Sequence, residues 1–157
     1  MEPYRLPRMS AAEIIELVDS QMICRIALSG EDYPYLAPFR YVKKNDTLYF
    51  HFTDYGKKMR FLKKSKKACV QIEKYNLDLS NYRFASFRGQ LEEVTDENEY
   101  KDVVNLFSES GRERISTNFL AAHGIKPEEG WESFKVSNKY VIMKLVDVIE
   151  KVGLKFP

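Results

Sequence analysis

Hydrophobic and polar positions change period several times along this chain, and each change marks an element. Ser10 and Glu13 form a Ser-x-x-Glu capping box ahead of Ile14, Ile15, Leu17 and Val18, which recur at helical spacing, so a short amphipathic helix is expected to about Gln21. From Met22 to Ser29 the period drops to two, and after Gly30-Glu31-Asp32 an extended pattern resumes from Tyr35 to Lys43. These read as two arms of a hairpin. Pro34 and Pro38 predict that the second arm starts late or lies partly at an edge or bulge. Lys44-Asn45-Asp46 makes the next turn, into a strand over Thr47 to Thr53. Its Leu48, Phe50 and Phe52 point to one face, the core, while Tyr49, His51 and Thr53 point to the other.

Beyond Gly56 a basic helix is expected over Lys57 to Lys64, then a strand from Ala68 to Tyr75, a polar loop from Asn76 to Asn81, and a long strand from Arg83 to Val94 with Gly89 as a bulge or a close approach. Asp96 and Glu99 open a third helix with another capping box, whose stripe is Tyr100, Val103, Val104 and Phe107. Residues 108–130 carry the weakest pattern, compatible with a short helix around Ile115 to Ala122 ended by Gly124. Tyr140 to Glu150 alternates as a sixth strand, with Val152 to Phe156 as its continuation or a terminal arm. Six strands with three inserted helices lack the strand-helix alternation of a doubly wound sheet, and short connections favour an antiparallel barrel.

Composition narrows the function classes. The 157 residues, 44% hydrophobic and 31% charged, fit one globular domain with a substantial core. No apolar run approaches the roughly 20 residues that span a bilayer, and Met1 to Arg8 lacks a signal-peptide core, so a cytoplasmic setting is the default. A net charge of +2 does not by itself indicate a nucleic-acid binder. Cys24 and Cys69 fall in strand-like segments and read as small buried thiols in preference to a disulfide or metal pair.

Candidate chemistry concentrates between residues 48 and 62. Gly56 permits a tight turn, and the amides of the following helix, with Lys57 and Lys58, can point at an anion, which makes this a phosphate seat. The plainer readings are a half-buried strand histidine for His51 and a solvated helix face for Arg60, Lys63, Lys64, Lys66 and Lys67. Trp131 reads as a core or dimer anchor, or as a lid. His123, in Ala122-His-Gly124, reads as a solvent-facing cap.

The ordered set Met22 to Leu28, Tyr33 to Val42, Leu48 to His51, Gly56-Lys-Lys58 and Phe84 to Gly89 followed by Glu93 to Asp96 resembles the pyridoxamine-5'-phosphate-oxidase-like FMN-binding split barrels, most nearly their nitroimidazole-resistance branch. The resemblance covers roughly residues 10 to 108 and, less specifically, the last strand. It implies a six-stranded antiparallel Greek-key split β-barrel, mainly β with flanking helices, and a homodimer holding two FMN molecules in grooves between subunits. It places the backbone of Pro38, Phe39, Arg40 and Tyr41 along the isoalloxazine. His51, Gly56, Lys57 and Lys58 fall near the ribityl and phosphate groups, with Lys58 on the phosphate and Thr53 assisting. Phe52 stands where relatives often carry a small or hydroxylated residue. Arg40 stands where a smaller polar one is common, and it is free to cover the phosphate, contact the ring or turn outward. Ser86 and Arg88 match a strand that approaches the cofactor in relatives, or form a polar outer face.

Three function classes follow from the resemblance. The first is an FMN-dependent oxidoreductase moving electrons from a reduced nicotinamide to a small electrophile such as a nitro compound, a quinone or another flavin, with His51 able to pass protons. The second is a non-catalytic FMN-binding or electron-transfer module, and the third a heme-binding split barrel, for which His51 and His123 are the available histidines. Pyridoxamine-phosphate oxidation itself is not expected, because the Arg, His and Tyr set that grips that substrate near the C-terminus is missing. No metal site, nucleic acid or membrane partner is expected.

Overall fold

The computed structural model describes residues 1–136 and 140–156. Helix α1 (Ala11–Ser20) starts at the expected reciprocal cap: Ser10 Oγ accepts from the Glu13 amide at 3.2 Å, and the Glu13 carboxylate accepts from the Ser10 amide at 2.7 Å. Its Ile14, Leu17 and Val18 are buried. The strands are β1 (Ile23–Leu28), β2 (Tyr35–Lys44), β3 (Thr47–Phe52), β4 (Lys67–Tyr75), β5 (Tyr82–Glu93) and β6 (Val141–Phe156). All pairings are antiparallel, and the strands close into a barrel in the order β1-β2-β3-β6-β5-β4. Closure pairs every strand with two neighbours over at least part of its length and so limits the free edges that an open sheet of this size would expose. Cys24, Ile26, Phe50, Phe52, Val70, Ile72, Ala85 and Leu91 fill the interior, each on the face that period two assigns to it.

Two backbone irregularities shape the barrel. At Gly89 the β5–β6 register shifts between Arg88 and Gln90, and a Cβ there would stand 2.6 Å from the Val146 carbonyl oxygen, so only glycine admits the bulge. Opposite it Asp147 has φ +50°, and β6 continues through it. The sixth strand and the terminal arm are thus one strand of 16 residues.

The outer face of β3 differs from the sequence expectation. Helix α2 (Lys57–Lys64) follows β3, but α3 (Glu97–Arg114), a 3-10 helix (Thr117–His123) and α4 (Glu132–Val136) bring a second apolar cluster over β2 and β3. Tyr49, read as an open-face residue, is buried there with Val103, Val104, Phe107, Leu120, Trp131 and Phe134. Helix α3 runs to Arg114 because its stripe continues through Phe107, Ser108 and Gly111. Its second capping box forms by half. Asp96 accepts from the Glu99 amide at 2.7 Å, while the Glu99 carboxylate turns to Tyr49 Oη at 2.8 Å and Lys144 Nζ at 3.1 Å.

Candidate functional site

The barrel is split between β2 and β3. These strands pair only over Tyr41–Lys44 with Thr47–Phe50; earlier in β2, Tyr35 to Arg40 pair with β1 alone, while the end of β3 pairs with β6. Pro38 lies in this single-neighbour half, where a missing amide is tolerated as on an edge strand. The gap is a cavity of about 380 Å³, lined by Ile23, Tyr35, Ala37, Pro38, Phe39, Arg40, His51, Thr53, Lys58, Phe119 and His123. That volume lies within the range of small-molecule sites. No carboxylate lines it among the described residues.

One end is set by the turn after β3. Gly56 adopts φ +93°, a conformation glycine takes without strain, and caps α2 with no side chain over the first amides. Lys58 bends back so that its Nζ donates to Thr53 Oγ1 at 2.5 Å and to the Tyr55 carbonyl at 2.8 Å. Partial burial lowers the pKa of its ammonium, opposed by Asp54. Lys57 is exposed and does not line the cavity, and Lys64 and Arg60 pair with Glu31 on the solvent side. Lys58 is the member of the basic cluster that faces the gap.

The inner end is built around Arg40, which turns inward. It is 5% exposed, its Nη2 donates to the Phe107 carbonyl and to Ser110 Oγ (2.7 Å), and its guanidinium stands over the rings of Phe107 (5.2 Å) and Trp131 (5.1 Å). Its Nε and Nη1 are buried with no hydrogen-bond partner among the described residues. Burial pulls its pKa down to about 10, so it remains a cation at neutral pH. His51 stands beside it, wrapped by Phe107, Phe134, Tyr140 and His123, the last with ring centroids 4.9 Å apart. The His51 Nε2 also lacks a hydrogen-bond partner among the described residues. Burial, then the charges of His123, Arg40 and Lys58, pull His51 down to about 3, so the imidazole is neutral at pH 7.

This has a consequence for folding. A histidine with a depressed folded-state pKa is protonated first in the unfolded chain, so its contribution to stability is intact above about 6.5 and declines as pH falls toward 3. The unliganded protein is expected to lose about 2 kcal/mol or more between pH 7 and pH 4 from this group, and His51→Phe to flatten that slope in urea titrations at successive pH values. A wild-type slope that survives unchanged in the variant would assign it elsewhere.

His123 is the residue that sequence reading misplaced. It is no solvent-facing cap: its Nδ1 lies 3.3 Å from the Phe119 carbonyl, its ring packs on His51, Phe119 and Phe134, and it lines the cavity with Phe119. Burial lowers its pKa, as does Arg40, while the Phe119 carbonyl raises it. The available signal was Phe119 and His123 four residues apart in a segment with helical pattern, where an α-helical turn would set them on one face. Trp131 is buried core, its ring lying against Gly111.

The other expected site residues divide. Phe39 stacks on Phe52 at 4.4 Å, yet only Phe39 lines the cavity; Phe52 is 1% exposed in the barrel interior. Tyr41 points inward and donates its hydroxyl to the Val18 carbonyl at 2.6 Å, leaving only its backbone near the split. Ser86 and Arg88 lie on β5, separated from β2 by β1 and β4; Arg88 pairs with Glu150 at 3.4 Å, and neither lines this cavity.

The profile of the pyridoxamine 5'-phosphate oxidase family matches residues 10–130. The chain belongs to the pyridoxamine 5'-phosphate oxidase family. Solved structures share this family fold over nearly all of both chains. An FAD-binding protein from Mesorhizobium loti is 18% identical, with 97% of this chain and 99% of that one covered at a TM-score of 0.69. A candidate 5-nitroimidazole antibiotic resistance protein from Bacteroides thetaiotaomicron is 18% identical over 97% and 88% of the two chains, with a TM-score of 0.65. The heme storage protein HutZ from Vibrio cholerae is 11% identical over 92% and 94%, also at 0.65. No curated protein matches the chain. The family match extends beyond the segment that sequence resemblance covered, into the 3-10 helix that supplies Phe119 and His123. No described helix is long and apolar enough to cross a membrane.

Proposed function

We propose that this family member is an FMN-binding oxidoreductase. The observation that carries the reading is the cavity in the barrel split, whose described lining holds two cations, Lys58 and Arg40, together with apolar side chains and no carboxylate. A flavin mononucleotide presents a dianionic phosphate, an apolar ring plane and a polar ring edge, and the lining matches each in turn. Lys58 and the first amides of α2, with Gly56 giving access and Lys57 adding charge at longer range, receive the phosphate. Ile23, Ala37, Pro38, Phe39 and Phe119 flank the ring plane, and the backbone of Pro38 to Tyr41 runs beside it. When bound, FMN supplies reversible two-electron chemistry between a reduced nicotinamide and a small electrophile such as a nitro compound, a quinone or another flavin. His51 is neutral and buried at the cavity wall, placed to hold or release a proton at Nε2.

The same reading makes the protein a homodimer. Ile23 and Leu36, 49% and 63% exposed, share the outer barrel surface with Arg25, and a second copy covering that face would complete the groove and bring Ser86 and Arg88 toward the partner's cofactor. Both cysteines are free, in keeping with a reducing cytoplasmic setting.

Purified protein is expected to be yellow, to release FMN on heating, and to bleach under NADH or NADPH without air. Colourless protein that refuses micromolar FMN would end the flavin reading. Bound flavin that nicotinamides do not reduce would leave an electron-transfer module. Light scattering after size exclusion checks the dimer; a monomer holding flavin tightly would count against the shared groove.

A further inference from the structure

Beyond the phosphate seat, the cavity lining holds a second cation, Arg40, which has no carboxylate partner among the described residues and is more deeply buried than Lys58. A buried guanidinium without a carboxylate is costly, because desolvation is not repaid. Arg40 keeps its charge with one nitrogen satisfied, at Nη2, and with Phe107 and Trp131 stacked against it, while Nε and Nη1 form an unused donor edge. The neighbours that line the cavity beside it are His51 and His123, and neither is acidic.

We propose that Arg40 is the specificity-determining residue of an inner anion seat, which holds the pyrimidine edge of the flavin ring and favours its reduced, anionic form over the oxidised one. This rests on the flavin reading above. Oxidised and reduced rings present the same carbonyl oxygens to the donor edge, but the reduced ring also carries negative charge there, and a fixed cation in a water-poor cavity distinguishes the two states. Arg40 is fixed: the Phe107 carbonyl and Ser110 hold one side of the fork, and two aromatic rings hold its plane. Lys58, assigned to the phosphate, faces a group whose charge is the same in both redox states and does not discriminate.

The test compares affinities for oxidised FMN and for dithionite-reduced FMN in wild type, Arg40→Met and Arg40→Lys, together with the midpoint potential of the bound flavin. Wild type is expected to hold reduced FMN at least tenfold more tightly than oxidised FMN, equivalent to a potential raised by about 30 mV over free FMN for a two-electron couple. Arg40→Met is expected to weaken binding of both forms, reduced FMN about tenfold more than oxidised FMN, which erases that ratio, and Arg40→Lys to keep at least a threefold preference. Equal losses for both redox forms in Arg40→Met would make Arg40 a structural clamp and overturn the seat. The wild-type ratio stands as a test even if Arg40→Met fails to fold, since flavin uptake with no preference for the reduced form overturns the seat alone. Failure to take up flavin in either form overturns the parent reading with it.

Discussion

Trp131→Ala is expected to lower the unfolding free energy by about 3–5 kcal/mol. The ring is 4% exposed, and it seats against Gly111 so closely that a Cβ at that glycine would stand 2.3 Å from it. Helix α3 and the segment before α4 therefore interlock through a shape that no neighbouring side chain can refill. The same ring stacks on Phe119 at 6.3 Å, contacts Phe134 at 5.9 Å and underlies the Arg40 guanidinium. Its loss thus reaches the cavity: Phe119 and His123 lose their backing, and Arg40 loses one wall. Urea unfolding checks the stability change, with Leu77→Ala, at a 98% exposed position, expected to stay within about 0.5 kcal/mol. A loss under about 1 kcal/mol for Trp131→Ala would mean that the second cluster does not anchor α3.

Lys58→Ala is expected to weaken FMN binding tenfold or more, while Lys64→Ala changes it less than twofold. The two lysines share a helix and a formal charge, and differ in surroundings. Lys58 is partly buried, held over the α2 N-terminus by Thr53 and the Tyr55 carbonyl, whereas Lys64 has a 64% exposed side chain already paired with Glu31. A partly enclosed, charge-assisted contact exceeds a solvated one by about 1 kcal/mol or more. Fluorescence titration with FMN measures the difference, and riboflavin, which lacks the phosphate, should bind both variants alike. Equal FMN affinities in the two variants would remove Lys58 from the phosphate.

Element by element, the chain announced its scaffold through local chemistry. The capping box at Ser10, the alternation of Leu48, Phe50 and Phe52, the turn at Gly56 and the bulge at Gly89 are each short-range consequences of backbone geometry and side-chain period, and each stands where the pattern put it. Residues 108–130 were opaque for the opposite reason. Their order comes from Trp131 on Gly111 and from Phe119, His123 and Phe134 gathered around β3, contacts between segments that no periodicity links.

By itself, then, the sequence determined the six strands, the starts of the first three helices and the position of Lys58 after a glycine turn, because hydrogen-bonded periodicity and glycine's freedom act over a few residues. The tertiary structure alone decided that Tyr49 is buried, that Arg40 turns inward with an unspent donor edge, and that His123 joins His51. Those outcomes depend on which distant faces meet and exclude water when the barrel closes and α3 folds across its split, and burial of that kind is a property of the assembled packing.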